Sequence, residues 1–438
     1  MNLRHAVVAL AFSLSSLAVV NAESPKDFKF VPARLSVPRD GLGNVFAKLQ
    51  AANSGRSQRE IRIAYFGGSI TAQAGWRVKT LKWLQEKYPQ ANISEINAAI
   101  GGTGSGFGVY RFYHDVLRHK PDLIFVEFSV NDGGTPPADI WRSMEGIIRQ
   151  TWKMDPSIDI CYVYTFRVGY EKDLDEGNCP QAASADEFLA DYYGIPSINM
   201  AMRTAELARE KKLLYVPMKD EKGNALPTPE GTILFSTDGV HPLDAGHTIY
   251  TQVITDALEQ WESTPKREAH TLKVPMMPDN WESAKLVPLE PWMLSAGWKK
   301  LSPTEGLAAS FNKLMPEVWE ATRPGETISF KFKGTAVSLY DLMGPDGAQV
   351  VCTLDGKTGL PRPRFDWYCT YWRPASVGVG QGLDDTVHTV SVEIHPDQPD
   401  RSPVTNRVKD QPNHDPKKYD GTVLRVGWIM VIGDVVRE

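Results

Sequence analysis

Only four of the 438 residues are cysteine: Cys161, Cys179, Cys352 and Cys369. None stands in a Cys-x-x-Cys pair, and no group of histidines and cysteines has the spacing of zinc ligands, so neither a redox dithiol nor a structural zinc site is expected. Positive charge is scarce relative to negative. Lys+Arg is 48 against Asp+Glu 53, a formal net charge of -5, which leaves no basic surplus to neutralise a phosphate backbone and argues against nucleic acid as a partner. Beyond the first two dozen residues the chain lacks any apolar run long enough to span a bilayer. It also lacks internal repetition at a period of roughly 20–50 residues, which excludes solenoids and propellers. With 42% hydrophobic and 23% charged residues it is globular, and at roughly 100–200 residues per domain its length allows about two to four domains, of which two are expected.

The first residues read as an export leader. Arg4 precedes an apolar stretch at 6–20 broken only by small serines, and Val20-Asn21-Ala22 supplies small residues at the two positions a signal peptidase reads. The stretch is short against the roughly 20 residues of a spanning helix. Cleavage after Ala22 is therefore expected, giving a secreted or periplasmic protein. Loss of Arg4 takes the formal charge from -5 to -6. In an oxidising compartment the four cysteines can form two bridges, Cys161 with Cys179 and Cys352 with Cys369. Each would close a loop of about 17 residues and contribute roughly 3 kcal/mol. Buried free thiols are the alternative, since Cys161 lies in the apolar run Ile160-Cys161-Tyr162-Val163.

From residue 61 to 261 short apolar runs alternate with helical patterns. Residues 61–66, 93–97, 123–129 and 160–165 read as strands buried on both faces. Residues 78–88, 110–118 and 140–154 carry apolar side chains at three- and four-residue spacing and read as helices. Further helices are expected at 184–193, 200–211 and 245–261, with a last strand at 213–216. Such alternation implies a parallel sheet covered by helices on both faces. Residues 263–305, rich in Pro, Glu and Trp, read as a connector. From 326 onward, alternating runs at 327–332, 336–340, 350–354, 387–394 and 423–432, separated by Pro, Gly and Asp, read as an antiparallel β-sandwich, jelly-roll-like, at 306–438.

Three motifs fall at strand ends of the first domain and a fourth precedes its closing helix. Phe66-Gly67-Gly68-Ser69-Ile70-Thr71 leads from a strand directly into a helix and sets the Ser69 hydroxyl on the edge where open α/β sheets bind ligands. The glycine-rich Asn97-Ala98-Ala99-Ile100-Gly101-Gly102-Thr103-Gly104-Ser105-Gly106 offers backbone N–H groups to an anion or a developing oxyanion. It has no Gly-Lys-Ser/Thr of a phosphate-binding loop, and no dinucleotide fingerprint follows the first strand. Phe128-Ser129-Val130-Asn131-Asp132 brings a carboxamide to the same edge, where it can donate without charge. Ser236-Thr237-Asp238-Gly239-Val240-His241-Pro242 sets an aspartate three residues before a histidine, a spacing that lets the carboxylate orient the imidazole as a base for a serine.

In order and context, Gly67-Gly68-Ser69, Gly102, Asn131 and Asp238-x-x-His241 resemble the SGNH hydrolases, also called the GDSL esterases, over about half of the chain. Gly68 stands where that family often has Asp, and Ser129 where the Asn block often begins with Gly. The resemblance implies a flavodoxin-like three-layer α/β/α domain at 55–262. It also implies a triad of Ser69 (nucleophile), His241 and Asp238, an oxyanion hole of the Ser69 and Gly102 N–H groups with the Asn131 side chain, and no metal or cofactor. Secreted members with an added sandwich resemble carbohydrate esterases, so an acylated, most simply O-acetylated, polysaccharide is the expected substrate. A sugar O-acyltransferase or a carbohydrate-binding protein with an inactive site is the alternative. Seven of the twelve tryptophans lie beyond residue 270, and the ring-dense segment 365–373 could stack on sugars or simply pack a hairpin. Trp428, in the final apolar run, is expected in the core.

Overall fold

The computed structural model describes residues 28–263, 269–411 and 415–437, so the expected leader at 1–22 lies outside the described residues. The chain divides into two compact units, Ser24–Leu286 and Val287–Glu438. In the first, the strands are β1 (Ser36–Val37), β2 (Ile61–Gly67), β3 (Ile93–Asn97), β4 (Leu123–Glu127), β5 (Asp159–Tyr164) and β6 (Ser197–Asn199). The helices are α1 (Gly43–Asn53), α2 (Ser69–Ala72), α3 (Trp76–Lys87), α4 (Ser105–Asp115), α5 (Pro137–Met154), α6 (Glu171–Asp175), α7 (Gln181–Tyr193), α8 (Met200–Arg209) and α9 (Asp244–Glu262).

The six strands lie in the order β1-β6-β5-β4-β2-β3, parallel from β6 to β3 with only β1 antiparallel at the edge. The five parallel strands have the flavodoxin-like order, whose direction of winding reverses between β2 and β4. Helices α4, α5 and α7 pack together on one face, and α3, α8 and α9 on the other. The continuous apolar run of β2 follows from this layering. Ile61, Ile63 and Tyr65 join the core beneath α3 and α9, while Phe66 faces Phe112 and Phe128 on the other side. Helix α5 buries Ile140, Met144, Ile147, Ile148 and Trp152, the three-to-four spacing that marked it in the sequence.

Several expectations need correction. Strand β3 is half exposed, because as the last strand of the sheet it has a neighbour on one side only. Residues 213–216 do not join the main sheet; Leu213–Leu214 pairs with Ile233–Leu234 in a separate two-stranded ribbon. The sequence reading missed β1, α1 and the three-residue β6. The four cysteines are free and buried, and burial pushes the Cys179 and Cys369 thiols up to about 12. Residues 276–282 lie along α5: the Glu145 carboxylate accepts from Met277 N (2.7 Å), and Trp281 N donates to Arg142 O (2.9 Å).

The second unit carries a nine-stranded sheet with antiparallel ladders among the described residues. Two expected runs, 327–332 and 336–340, are one strand, Thr327–Met343. The run expected at 387–394 is the end of a strand at Arg373–Ile394. A register shift between Gly334 and Ala336 explains the apparent break. It changes the alternation so that Ile328, Phe330 and Phe332 before it and Val337 and Leu339 after it enter one core with Val390, Val392, Ile429 and Val431. Trp428 is half-buried rather than core, its indole N–H donating to Leu314 O (3.0 Å). In the ring-dense segment Phe365 is buried and Trp372 half-buried, whereas Trp367, Tyr368 and Tyr371 are 51%, 42% and 53% exposed, so hairpin packing does not account for all five rings.

Candidate active site

The carboxyl ends of β2, β3, β4 and β5 emerge on the same edge because the strands are parallel, and the four sequence motifs meet there. Ser69 opens the one-turn helix α2 directly after β2, so its N–H has no partner within the helix. His241 Nε2 lies 2.8 Å from Ser69 Oγ, and His241 Nδ1 lies 2.7 Å from Asp238 Oδ2. An ionised carboxylate only accepts, so Nδ1 carries the proton and the Nε2 lone pair faces the serine hydroxyl. That is the tautomer a general base needs.

The loop after the Ile233–Leu234 ribbon strand, 236–242, builds this arrangement from nested turns. Asp238 Oδ1 accepts from Val240 N and His241 N, both at 2.9 Å, and from Ser236 Oγ at 2.8 Å. Partial burial pushes the Asp238 carboxyl up. The hydrogen bonds from the His241 ring and backbone, Val240 N and Ser236 outweigh this and hold it well below the usual carboxylate range. His241 itself is half-exposed, within reach of water. Six residues on, His247 is buried, its Nδ1 accepts from Trp76 N (3.2 Å), and burial lowers its pKa to about 4. It is a neutral packing residue, which leaves His241 as the base of this segment.

The other two motifs come to Ser69 from either side. Gly102 adopts a left-handed φ of 74°, and a Cβ on its neighbour Gly101 would lie 3.5 Å from Ser69 Cβ, so the glycine-rich loop runs beside the serine. Asn131 packs its carboxamide on Gly68, where a Cβ would stand 1.8 Å from Asn131 Oδ1. Glycine at position 68 is therefore a requirement of this close approach. Val168 N donates to Gly239 O (2.7 Å), which joins the segment after β5 to the histidine loop.

Sequence reading missed Glu127, the last residue of β4. It is buried, and its carboxylate accepts from Thr71 Oγ1 on α2 (2.9 Å) and from Thr165 Oγ1 (2.7 Å). Burial pushes its pKa up to about 7 against the pull of the two hydroxyls. One signal was available: a lone glutamate closing the otherwise apolar Leu123-Ile124-Phe125-Val126-Glu127. Ser236, which braces Asp238, was also missed as a site residue.

Residues 65–249 match the model of the GDSL-like Lipase/Acylhydrolase family. An arylesterase of Vibrio mimicus is 29% identical over 103 residues, 22% of this chain and 50% of that protein, so the chain spans about half the length of this curated relative. Two crystal structures of a two-domain esterase active on acetylated mannans, one with mannopentaose, are similar with TM-scores of 0.66 and 0.67. Identity to each is 18%, with 91% and 90% of this chain and 96% of theirs covered. At that identity the likeness is one of fold, and it extends over both units.

Proposed function

We propose, from the match of residues 65–249 to the GDSL-like lipase/acylhydrolase family, that the protein is a secreted serine esterase removing short acyl groups, O-acetyl foremost, from polysaccharides or oligosaccharides. The observation that carries this reading is the continuous chain Ser69 Oγ, His241 and Asp238, with contacts of 2.8 and 2.7 Å. In the mechanism His241 Nε2 takes the Ser69 proton as Oγ attacks the acyl carbon. The Ser69 and Gly102 N–H groups and the Asn131 side chain hold the oxyanion. As the tetrahedral intermediate collapses, the imidazolium returns its proton to the departing sugar oxygen, leaving an acyl-enzyme. His241 then deprotonates a water that attacks the acyl carbon, and the carboxylic acid leaves as Ser69 regains its proton.

The substrate class draws support from the fold likeness to the acetylmannan esterase and from the exposed Trp367, Tyr368 and Tyr371 of the second unit. The leader at 1–22 carries the proposal of export; among the described residues no helix is long and apolar enough to cross a membrane. Ser69→Ala is expected to abolish p-nitrophenyl acetate hydrolysis with unchanged circular dichroism, and retained turnover would sink the serine mechanism. Acetate release from acetylated mannan, xylan, pectin and algal polysaccharides, with and without acceptor sugars, identifies the glycan. Acetylated acceptor in place of free acetate would reassign the enzyme as a transferase.

A further inference from the structure

We propose that Asp132 is a positioning residue of this reaction: its carboxylate ties the Gly102 loop to the Asn131 turn and so fixes the separation of two oxyanion donors. The inference rests on the esterase reading above. Asp132 is 3% exposed and follows Asn131 in a turn closed by Asp132 N to Phe128 O (2.8 Å) and Thr135 N to Asp132 O (2.8 Å). Its carboxylate leaves that turn and accepts from Ser105 N at 3.0 and 3.2 Å. Ser105 is the first residue of α4, three positions after Gly102. A Cβ on Gly104 would stand 2.1 Å from Asp132 Oδ1, so the glycine between them is what admits the carboxylate.

The other end of the loop is fixed as well. Thr103 Oγ1 donates to Ile100 O (2.8 Å), and Ile100 N donates to Gly67 O (3.0 Å), two residues before Ser69. Gly102 thus hangs between a tie to the Ser69 strand and a tie to the Asn131 turn. Oxyanion donors act by being oriented before the charge develops, so a loop held at one end only would lose much of their effect. The arrangement is a liability for stability. Burial pushes the Asp132 carboxyl up to about 7, and only the Ser105 hydroxyl and N–H pull it back. A buried carboxylate held without a cation, beside both donor loops, is more than a helix cap requires.

The test uses the full chain, p-nitrophenyl acetate and three variants. Asp132→Ala is expected to lower kcat by about 10–100-fold with KM within about twofold, part of the 100–1,000-fold that follows loss of a whole donor. Asp132→Asn keeps an oxygen that can accept from Ser105 N and is expected to recover about tenfold of the loss. Ser105→Pro removes the N–H at a first-turn helix position that tolerates proline, leaving Asn131 and Asp132 unaltered, and is expected to fall within about threefold of Asp132→Ala. Combining the two should cost little more than either alone, because both break one contact. If the folded variants keep kcat within twofold of the parent while their thermal midpoints fall, Asp132 only caps α4 and the proposal is wrong. Should Asp132→Ala fail to fold, Asp132→Asn and Ser105→Pro decide by the same criterion. Failure of the esterase reading is visible separately, as full activity in Ser69→Ala.

Discussion

The two units differ in how they bury charge. In the antiparallel unit buried charges are paired: Arg364 grips Asp341 through two contacts of 2.6 and 2.7 Å, and Arg425 joins Asp346 (2.9 and 2.7 Å) and Glu320 (2.7 Å). In the α/β unit, Glu127, Asp132 and Asp186 are buried carboxylates whose protons are held more tightly than usual by burial. Glu127 and Asp132 both lie at the carboxyl end of β4, beside Ser69 and Asn131. Buried carboxylates at the opposite end of the same sheet are paired, Asp122 with Lys48 (2.8 Å) and Arg59 (2.9 Å), and Asp159 with His270 (2.8 Å). Paired burial braces one end of the sheet, whereas at the other end the carboxylates of Glu127 and Asp132 are buried without a cation, beside the groups that carry the chemistry. Topology explains the asymmetry. Parallel strands bring every carboxyl end to one edge, whereas antiparallel neighbours deliver their ends alternately to both.

Substitutions can break this contrast, and their expected effects are graded. His241→Ala removes the base and should lower kcat on the order of 10⁴-fold or more with the fold intact, read by p-nitrophenyl acetate kinetics and circular dichroism. Arg364→Ala strands Asp341 and should destabilise the second unit by about 3–5 kcal/mol, measured by denaturant unfolding; replacing both partners by apolar residues should cost far less. Asn131→Ala should lower kcat 100–1,000-fold, about 2.7–4 kcal/mol, with little change in KM.

The pH dependence of stability is a subtler discriminator. Glu127 has a folded pKa of about 7, above its ordinary value of 4.5, so its contribution to stability is full at low pH and lost as pH rises from about 4.5 to about 7. The loss is on the order of 3 kcal/mol at about 1.4 kcal/mol per pH unit. Glu127→Gln should remove its share of that fall, leaving the share of Asp132, and raise the thermal midpoint at pH 8. The smallest effect is the absence of one: with all four thiols free, reductant should leave the thermal midpoint where it is.

The layered parallel sheet was legible because β2, β4 and β5 are buried on both faces and therefore read as unbroken apolar runs. Strand β6, Ser197-Ile198-Asn199, has one large apolar residue and no period to detect. The long strand Thr327–Met343 looked like two because Lys333-Gly334-Thr335 interrupts its alternation, and a single sequence does not tell a bulge from a turn. At the site, Ser69, Gly102, Asn131, Asp238 and His241 stood out as strand-end motifs. Glu127 and Asp132 did not, since what makes them unusual is burial, and burial is set by elements distant in the chain.

Covalent trapping tests the central claim most directly. A fluorophosphonate incubated with the purified protein and read by intact mass and peptide mapping should leave one adduct on the peptide carrying Ser69, with hydrolysis of p-nitrophenyl acetate lost in proportion. An adduct at another residue, or an unmodified Ser69 in protein that has lost its activity to the reagent, would contradict a serine nucleophile at the end of β2.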